Sequence, residues 1–202
     1  MTAPAATVTL GVRDRIVEAA AAITTESGWS AVTMNKVATR AGVSRQTVYN
    51  EMGSKPGLGQ AMVLRELDRF LAAVEDELDR HDDLVDAIRA AAERILVMAR
   101  ENRLLDAVLA SAHGVSRGEP GSDNELLPFL TTDAAPLISA ATAVIAGRLP
   151  LRFPDTGLTE HEAEVAIDSV VRLVLSHVMQ PGSPPETVAD DVAWIVGRVL
   201  GV

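Results

Sequence analysis

The tight turn AGVS (residues 41–44), which joins two short amphipathic segments, constrains the fold of this chain more than any other feature. Thr33 can cap the first segment, and Ser44 is a good N-cap for the second, which ends near Met52. Gly42 suits the sharp turn between them. Apolar residues recur at helical spacing in the first segment: Met34, Val37, Ala38 and Ala41. The pattern predicts a helix-turn-helix.

The remaining periodicity is also helical, and signals for β-strands are scarce. We expect further helices over about 13–27, 58–80, 83–100, 104–109, 137–149, 160–179 and 186–200. Thr159 with Glu162, and Ser183 with Glu186, have the spacing of capping boxes at the starts of the last two. Residues 114–125 and 150–157 have the composition of loops.

The sequence therefore predicts an all-α protein of about nine helices in two parts. A three-helix head occupies residues 1–55, and a larger helical body occupies residues 56–202. The net charge of −10 divides unevenly, because the head carries +2 and the body −12. A basic module on an acidic body is typical of a DNA-binding protein, although an excess of two charges also arises by chance.

Composition excludes several other classes of protein. There are no cysteines, so disulfides, thiolate nucleophiles and cysteine zinc sites are excluded. No apolar run is long enough to cross a bilayer, and the N-terminus lacks the pattern of a signal peptide, so we expect a cytoplasmic protein. The four histidines are scattered, and neither a metal-ligand pair nor a nucleophile motif occurs. We predict no enzyme activity, no metal and no cofactor.

The third helix of the head has an outer face suited to DNA. Val48 and Met52 fall on one side of a helix, with Gln46 and Asn50 nearly opposite. Glutamine and asparagine amides can pair with adenine in the major groove, although an ordinary solvated face has the same pattern. Arg45 could reach either a phosphate or a guanine. The candidate DNA-binding residues are Thr33, Lys36, Ser44, Arg45, Gln46, Thr47, Tyr49, Asn50 and Lys55.

One stretch of the head matches a known family. From Gly28 the chain reads GWSAVTMNKVATRAGVSRQTVYNEMGSKPGL, which closely resembles the DNA-binding signature of TetR-family transcriptional regulators. The resemblance covers residues 13–65 with nearly every element at the correct spacing, except that Met52 stands where the family prefers an aromatic residue. The segment SRQTVYNE also resembles the corresponding segment of an actinobacterial subgroup associated with alkane and fatty-acid metabolism.

The resemblance implies a homodimer that binds a palindromic double-stranded DNA operator. The third helix of each head, the reading helix, would lie in the major groove, with the two reading helices about 34–36 Å apart. The last two helices usually form the dimer in this family. The helix over 160–179 is apolar nearly all round, which fits either a dimer interface or burial within one subunit. The candidate interface residues are Val170, Val174, His177, Val178, Val188, Val192, Ile195 and Val199.

The family also implies an inducer bound in the body. Few aromatic residues lie beyond residue 55, so a long acyl or alkyl chain, such as a fatty acid, suits the body better than a flat polycyclic molecule. Each candidate lining residue could instead simply fill the core. These residues are Leu71, Val74, Ile95, Met98, Leu105, Val108, Leu109, Phe129, Ile138, Val171 and Arg172. Arg172 could meet a carboxylate head group or pair with Asp168.

We therefore predict a ligand-responsive DNA-binding regulator, most simply a repressor released by a hydrophobic molecule. The alternative is an intracellular lipid-binding helical protein without regulatory DNA binding. Between head and body, Gly57 and Gly59 each weaken a first helical turn by about 1 kcal/mol relative to alanine. We expect this turn to be a soft joint that transmits ligand binding to the reading helix.

Overall fold

The computed structural model describes residues 11–106 and 135–201. Within those ranges it has nine helical elements and no strand, which confirms the all-α prediction. The elements are α1 (Val12–Ser27), a 3₁₀ turn (Trp29–Ala31), α2 (Met34–Ala41), α3 (Arg45–Met52), α4 (Lys55–Arg80), α5 (Leu84–Glu101), α6 (Ala135–Arg152), α7 (Glu160–Met179) and α8 (Pro185–Leu200). None of the helices in the described ranges combines the length and apolar character needed to cross a membrane. The loop predicted over 114–125 lies outside the described residues.

The head has its own hydrophobic core, built by the first four helices. Ile16 of α1, Val37 of α2 and Val48 of α3 are fully buried in it. Leu58 and Met62 of α4 belong to the same cluster. The packed unit of the head therefore extends beyond the boundary predicted at residue 55, because the first two turns of α4 complete its core.

Side chains cap α2 and α3 at the predicted places. Thr33 Oγ1 accepts a hydrogen bond from the N–H of Lys36 at 3.2 Å, and Ser44 Oγ accepts one from Thr47 at 3.0 Å. Each bond satisfies a backbone donor that the helix itself leaves unpaired. The first turns of α2 and α3 are thus fixed by local sequence.

The two predicted capping boxes have different outcomes. Thr159 and Glu162 form a complete box at the start of α7, and the hydrogen bonds from the Thr159 hydroxyl and N–H lower the pKa of Glu162. The box predicted from Ser183 and Glu186 was wrong. Pro184 is the N-cap of α8 and makes no side-chain cap, while the Ser183 carbonyl accepts from Arg100 of α5.

Two helices in the body are longer than predicted. The helix α4 begins at Lys55 rather than residue 58, because Ser54 caps it and proline is tolerated in a first turn. The helix α6 continues through Pro150 to Arg152. Arg152 donates hydrogen bonds to the carbonyl of His81 and to Asp82, which anchors the end of α6 to the α4–α5 turn.

The body packs around α5. Its face carrying Ala92 and Leu96 forms a buried cluster with Val188, Val192 and Val196 of α8. The helix α6 lies against α4 and α7, and α7 is mostly half-buried. This arrangement leaves a large space bordered by α4, α5, α6, α7 and α8.

Candidate nucleic-acid interface and body cavity

The outer face of α3 carries two exposed amides. Val48 is 0% exposed and Met52 is 8% exposed, as the helical pattern predicted, and these two side chains anchor α3 in the head core. Gln46 and Asn50 lie on the opposite, exposed side. Gln46 Nε2 donates a hydrogen bond to Asn50 Oδ1 at 2.8 Å, so the two amides form one polar unit.

Other candidate residues surround that unit. Arg45 Nη2 donates to the hydroxyl of Tyr49 at 3.3 Å, and the guanidinium carbon lies 5.3 Å from the centre of the tyrosine ring. The hydroxyls of Ser44 and Thr47 are 2.8 Å apart. The N-cap and first two turns of α3 therefore present a cation, a phenol, two hydroxyls and two amides, which are the groups that contact phosphates and base edges in DNA.

The remaining candidates lie beside α3. Thr33 caps α2, and Lys36 Nζ donates a hydrogen bond to the carbonyl of Ala31 at 3.1 Å. Lys55 Nζ, at the start of α4, lies 4.9 Å from the centre of the Trp29 ring. The candidates from α2, α3 and α4 thus belong to one compact head.

The junction between α3 and α4 is tighter than the sequence suggested. A Cβ atom at Gly57 would lie 2.3 Å from the carbonyl oxygen of Met52, a distance far inside van der Waals contact. The same carbonyl accepts a hydrogen bond from Ser54 at 2.8 Å. Glycine at 57 is therefore required by the close approach of α4 to the end of α3, a reason that sequence alone did not reveal.

The body contains a partly open cavity of about 860 Å³. Six of the predicted residues line it: Leu71, Val74, Ile95, Leu105, Ile138 and Val171. Val108, Leu109 and Phe129 lie outside the described residues. Met98 is half-buried and does not line the cavity, since it is rotated by about 60° from Ile95 around α5.

Arg172 does not line the cavity either, which corrects its assignment as a ligand residue. Its Nε donates to Asp168 Oδ2 at 2.6 Å, and its side chain is 59% exposed. That ion pair raises the pKa of the arginine, chiefly through the hydrogen bond to Asp168. Of the two roles considered for Arg172, the structure supports pairing with Asp168.

The cavity holds a polar pair that the sequence analysis missed. Glu66 of α4 and Asn102, just after α5, both line it, and Asn102 Nδ2 donates to Glu66 Oε2 at 2.6 Å. Glu66 lies one helical turn from Phe70 on the face of α4 that borders the cavity. A charged residue interrupting an apolar stripe was the available signal, but its partner is distant in sequence.

The candidate dimer residues separate into buried and exposed sets. Val188 is 2% and Val192 0% exposed, so their assignment to a dimer interface was wrong, because α5 already covers them within one chain. Val170, Val174 and Val178 also pack against that core and line the cavity. Ile195 and Val199 also border the cavity, but they are 39% and 50% exposed. His177 and Ile195 border a groove of about 300 Å³ between α7 and α8.

Comparison with known proteins places this geometry in a family. Residues 16–62 match the model described as bacterial regulatory proteins of the tetR family. Residues 83–198 match the model described as the C-terminal domain of the bacterial tetracyclin repressor. The first match covers the DNA-interface candidates, and the second covers α5 to α8 of the body.

Individual relatives agree with that assignment. The chain is 34% identical over 187 residues to the HTH-type transcriptional regulator AlkX of Mycobacterium tuberculosis (strain ATCC 25618 / H37Rv), covering 91% of this chain and 82% of the relative. It is similar in structure to the TetR family repressor AlkX from Dietzia sp. strain DQ12-45-1b, with a TM-score of 0.76, 26% identity and coverage of 93% and 96%.

A regulator from Mesorhizobium loti MAFF303099, described as a TetR-family member, shares the fold with a TM-score of 0.61, 19% identity and coverage of 94% and 95%. The matching proteins are transcriptional regulators and not enzymes. Family models match both head and body, and a relative matches nearly the whole length of this chain. The chain therefore belongs to the TetR family of DNA-binding bacterial transcriptional regulators.

Proposed function

We infer that this chain is a repressor that binds a palindromic operator as a homodimer and is released when a hydrophobic small molecule enters the body cavity. One observation carries the DNA-binding part of the proposal. The Gln46–Asn50 unit is exposed on a helix whose opposite face is anchored in the core. Acting on DNA, the protein would work in the cytoplasm.

The proposal is tested by binding to the DNA upstream of the chain's own gene, measured by mobility shift and fluorescence anisotropy over a range of salt concentrations. We expect sequence-specific binding that weakens as salt rises, because phosphate contacts release counterions. Absence of any specific shift would support the alternative, a helical lipid-binding protein without regulatory DNA binding.

Replacing Gln46 or Asn50 with alanine is expected to relax operator specificity. Each amide that contacts a base edge contributes about 1–3 kcal/mol of discrimination against the wrong base. The measurement is a titration of operator and single-base variants with each protein. Gln60→Ala is the matched control, because Gln60 is exposed on α4 outside the reading helix. Unchanged discrimination in both α3 variants would refute the roles assigned to these amides.

The dimer part of the proposal is supported by exposed apolar side chains on α8. Trp194 is 64% and Ile195 39% exposed, and both border the groove shared with Leu173 and His177 of α7. Monomeric proteins rarely expose such residues side by side. A second copy using the same face would cover them on both protomers.

Ile195→Asp is expected to convert the dimer to a monomer. A charge at the centre of an apolar interface costs about 2 kcal/mol or more of association free energy. Sedimentation equilibrium measures the change. Val12→Asp is the control, since Val12 of the head has a nearly equal exposure of 38%. If the Ile195→Asp variant stayed dimeric, or both variants dissociated alike, the α7–α8 face would not be the interface.

The inducer proposal rests on the lining of the cavity, which is almost entirely aliphatic. The Dietzia relative is described as implicated in biodegradation of n-alkanes, and that favours a long aliphatic chain as the ligand here too. A fatty acid was the example predicted from sequence. Its carboxylate needs a partner other than Arg172, which pairs with Asp168 on the outside of α7.

A further inference from the structure

Acidic side chains occur among the polar groups of the described cavity lining. Its polar side chains among the described residues are Glu66, Asn102, His161, Glu162 and Ser169, and this part of the lining includes neither lysine nor arginine. Two of the five are carboxylates. The cavity therefore lacks, in its described lining, the cation with which a fatty-acid head group is normally paired.

Glu66 is held facing this space. Arg69 Nη1 lies 3.2 Å from both of its carboxylate oxygens, and the arginine side chain is 64% exposed while that of Glu66 is 20% exposed. The guanidinium thus fixes the carboxylate from the solvent side. The other side of the carboxylate borders the cavity between Met62 and Phe70.

Asn102 has its orientation fixed by the backbone. Its Oδ1 accepts hydrogen bonds from the N–H groups of Leu104 and Leu105, both at 3.0 Å, so its Nδ2 must be the atom that faces Glu66. One of the two Nδ2 hydrogens bonds to Glu66. The pair therefore offers a carboxylate acceptor together with a second amide hydrogen, which complements a hydroxyl that donates one bond and accepts another.

The second polar region of the cavity does not supply a positive site for a carboxylate. Glu162 Oε2 accepts from the N–H and the hydroxyl of Thr159 at 2.8 Å and 2.7 Å. The start of α7 is thus already capped by an anion. Of the residues that flank His161 in the sequence, Glu162 also lines the cavity, so a carboxylate beside both would meet a like charge.

We propose that Glu66 and Asn102 form the head-group site of the cavity and that its ligand is a long-chain aliphatic alcohol rather than a fatty-acid anion. The hydroxyl donates to Glu66 and accepts from Asn102, and the chain extends along α4 toward Leu78, about 18 Å away by helical rise. Leu84 and Leu149 surround that far end with apolar surface. This inference rests on the proposed function, in which the cavity binds the inducer.

The test compares ligands that differ only in the head group. Dodecanol, dodecanoate and dodecane are titrated against full-length protein loaded with the fluorescent probe N-phenylnaphthylamine at pH 8, and DNA release is measured in parallel by anisotropy. In the wild-type protein, dodecanol is expected to displace the probe at concentrations at least about tenfold lower than dodecanoate, because a carboxylate at pH 8 cannot donate a hydrogen bond to Glu66 and places a second anion beside it. Equal or tighter binding of dodecanoate overturns the proposal and needs no variant.

Two variants, each with one carboxylate replaced by an amide, test whether Glu66 causes the preference for the alcohol. Glu66→Gln is expected to weaken dodecanol binding, strengthen dodecanoate binding and so abolish the selectivity. Glu101→Gln removes the same charge from an exposed position on α5 outside the cavity and should keep the wild-type selectivity. An alcohol preference that survives in Glu66→Gln overturns the head-group assignment.

The outcomes also separate this proposal from the function on which it rests. If dodecanoate released the protein from DNA and dodecanol did not, ligand-controlled DNA binding would stand and the alcohol assignment would fall. If none of the three compounds displaced the probe or released DNA, both would fall.

Discussion

Trp29→Ala is expected to lower the free energy of unfolding by about 3–5 kcal/mol and to abolish DNA binding. Trp29 is 1% exposed and is the largest of the fully buried side chains in the described residues. It lies in the 3₁₀ turn between α1 and α2, within the cluster that also contains Val48 of α3 and Leu58 of α4. Its removal would leave a cavity shared by all four helices of the head.

The measurement is urea unfolding followed by far-ultraviolet circular dichroism, with operator binding measured on the same samples. Trp194→Ala is the control, because it deletes the same side chain at a site that is 64% exposed. Any loss of stability in the control should shrink as protein concentration rises, since Trp194 borders the proposed dimer face. The loss of stability in Trp29→Ala should not shrink as protein concentration rises. A Trp29→Ala protein with the wild-type midpoint would contradict this account of the head.

The features that were predicted correctly from the sequence are determined by residues close together in the chain. The spacing of Val48 and Met52 determines which side of α3 is buried, so the exposure of Gln46 and Asn50 followed from helical geometry alone. The caps at Thr33, Ser44 and Thr159 were predicted for the same reason. A side chain that bonds to a backbone N–H three residues later needs no knowledge of the rest of the fold.

The errors concern contacts between distant segments. Val188 and Val192 are apolar at helical spacing, but only the packing of α8 on α5 decides that they face inward rather than toward a second subunit. The same limit applies to the Glu66–Asn102 pair, whose members are 36 positions apart. Periodicity gives the face of a helix and not its partner, so the dimer surface and the cavity's head-group site required the structure.

Gly57 and Gly59 lie between head and body, and the sequence alone did not show the packing around Gly57. Their helix-weakening tendency suggested a soft joint, and that hypothesis stays a prediction. The structure adds a packing reason for one of them, because a Cβ atom at Gly57 would overlap the Met52 carbonyl. Replacing both glycines with alanine would therefore combine lost flexibility with a backbone clash, and it would not isolate a hinge. A substitution at Gly57 alone is the sharper experiment.

Gly57→Ala is expected to destabilise the protein by about 1–3 kcal/mol, the usual cost of forcing an extra group into a packed site. The methyl group would meet the Met52 oxygen at 2.3 Å, and that oxygen is backbone held by the N–H of Ser54. Either α3 or the start of α4 must shift. Because α3 carries Gln46 and Asn50, operator binding should weaken more than the unfolding midpoint alone would explain.

Gly147→Ala provides the matched control. Gly147 is an exposed residue inside α6, and a Cβ atom there would have no neighbour within 4 Å. The same substitution should therefore stabilise the protein by about 0.5–1 kcal/mol, because alanine favours the helix over glycine. Urea unfolding and operator titration of both variants give the comparison. If Gly57→Ala destabilises the protein and Gly147→Ala stabilises it, close packing determines the need for glycine at 57. If both variants are stabilised and keep the wild-type operator affinity, helix propensity alone explains the stability changes.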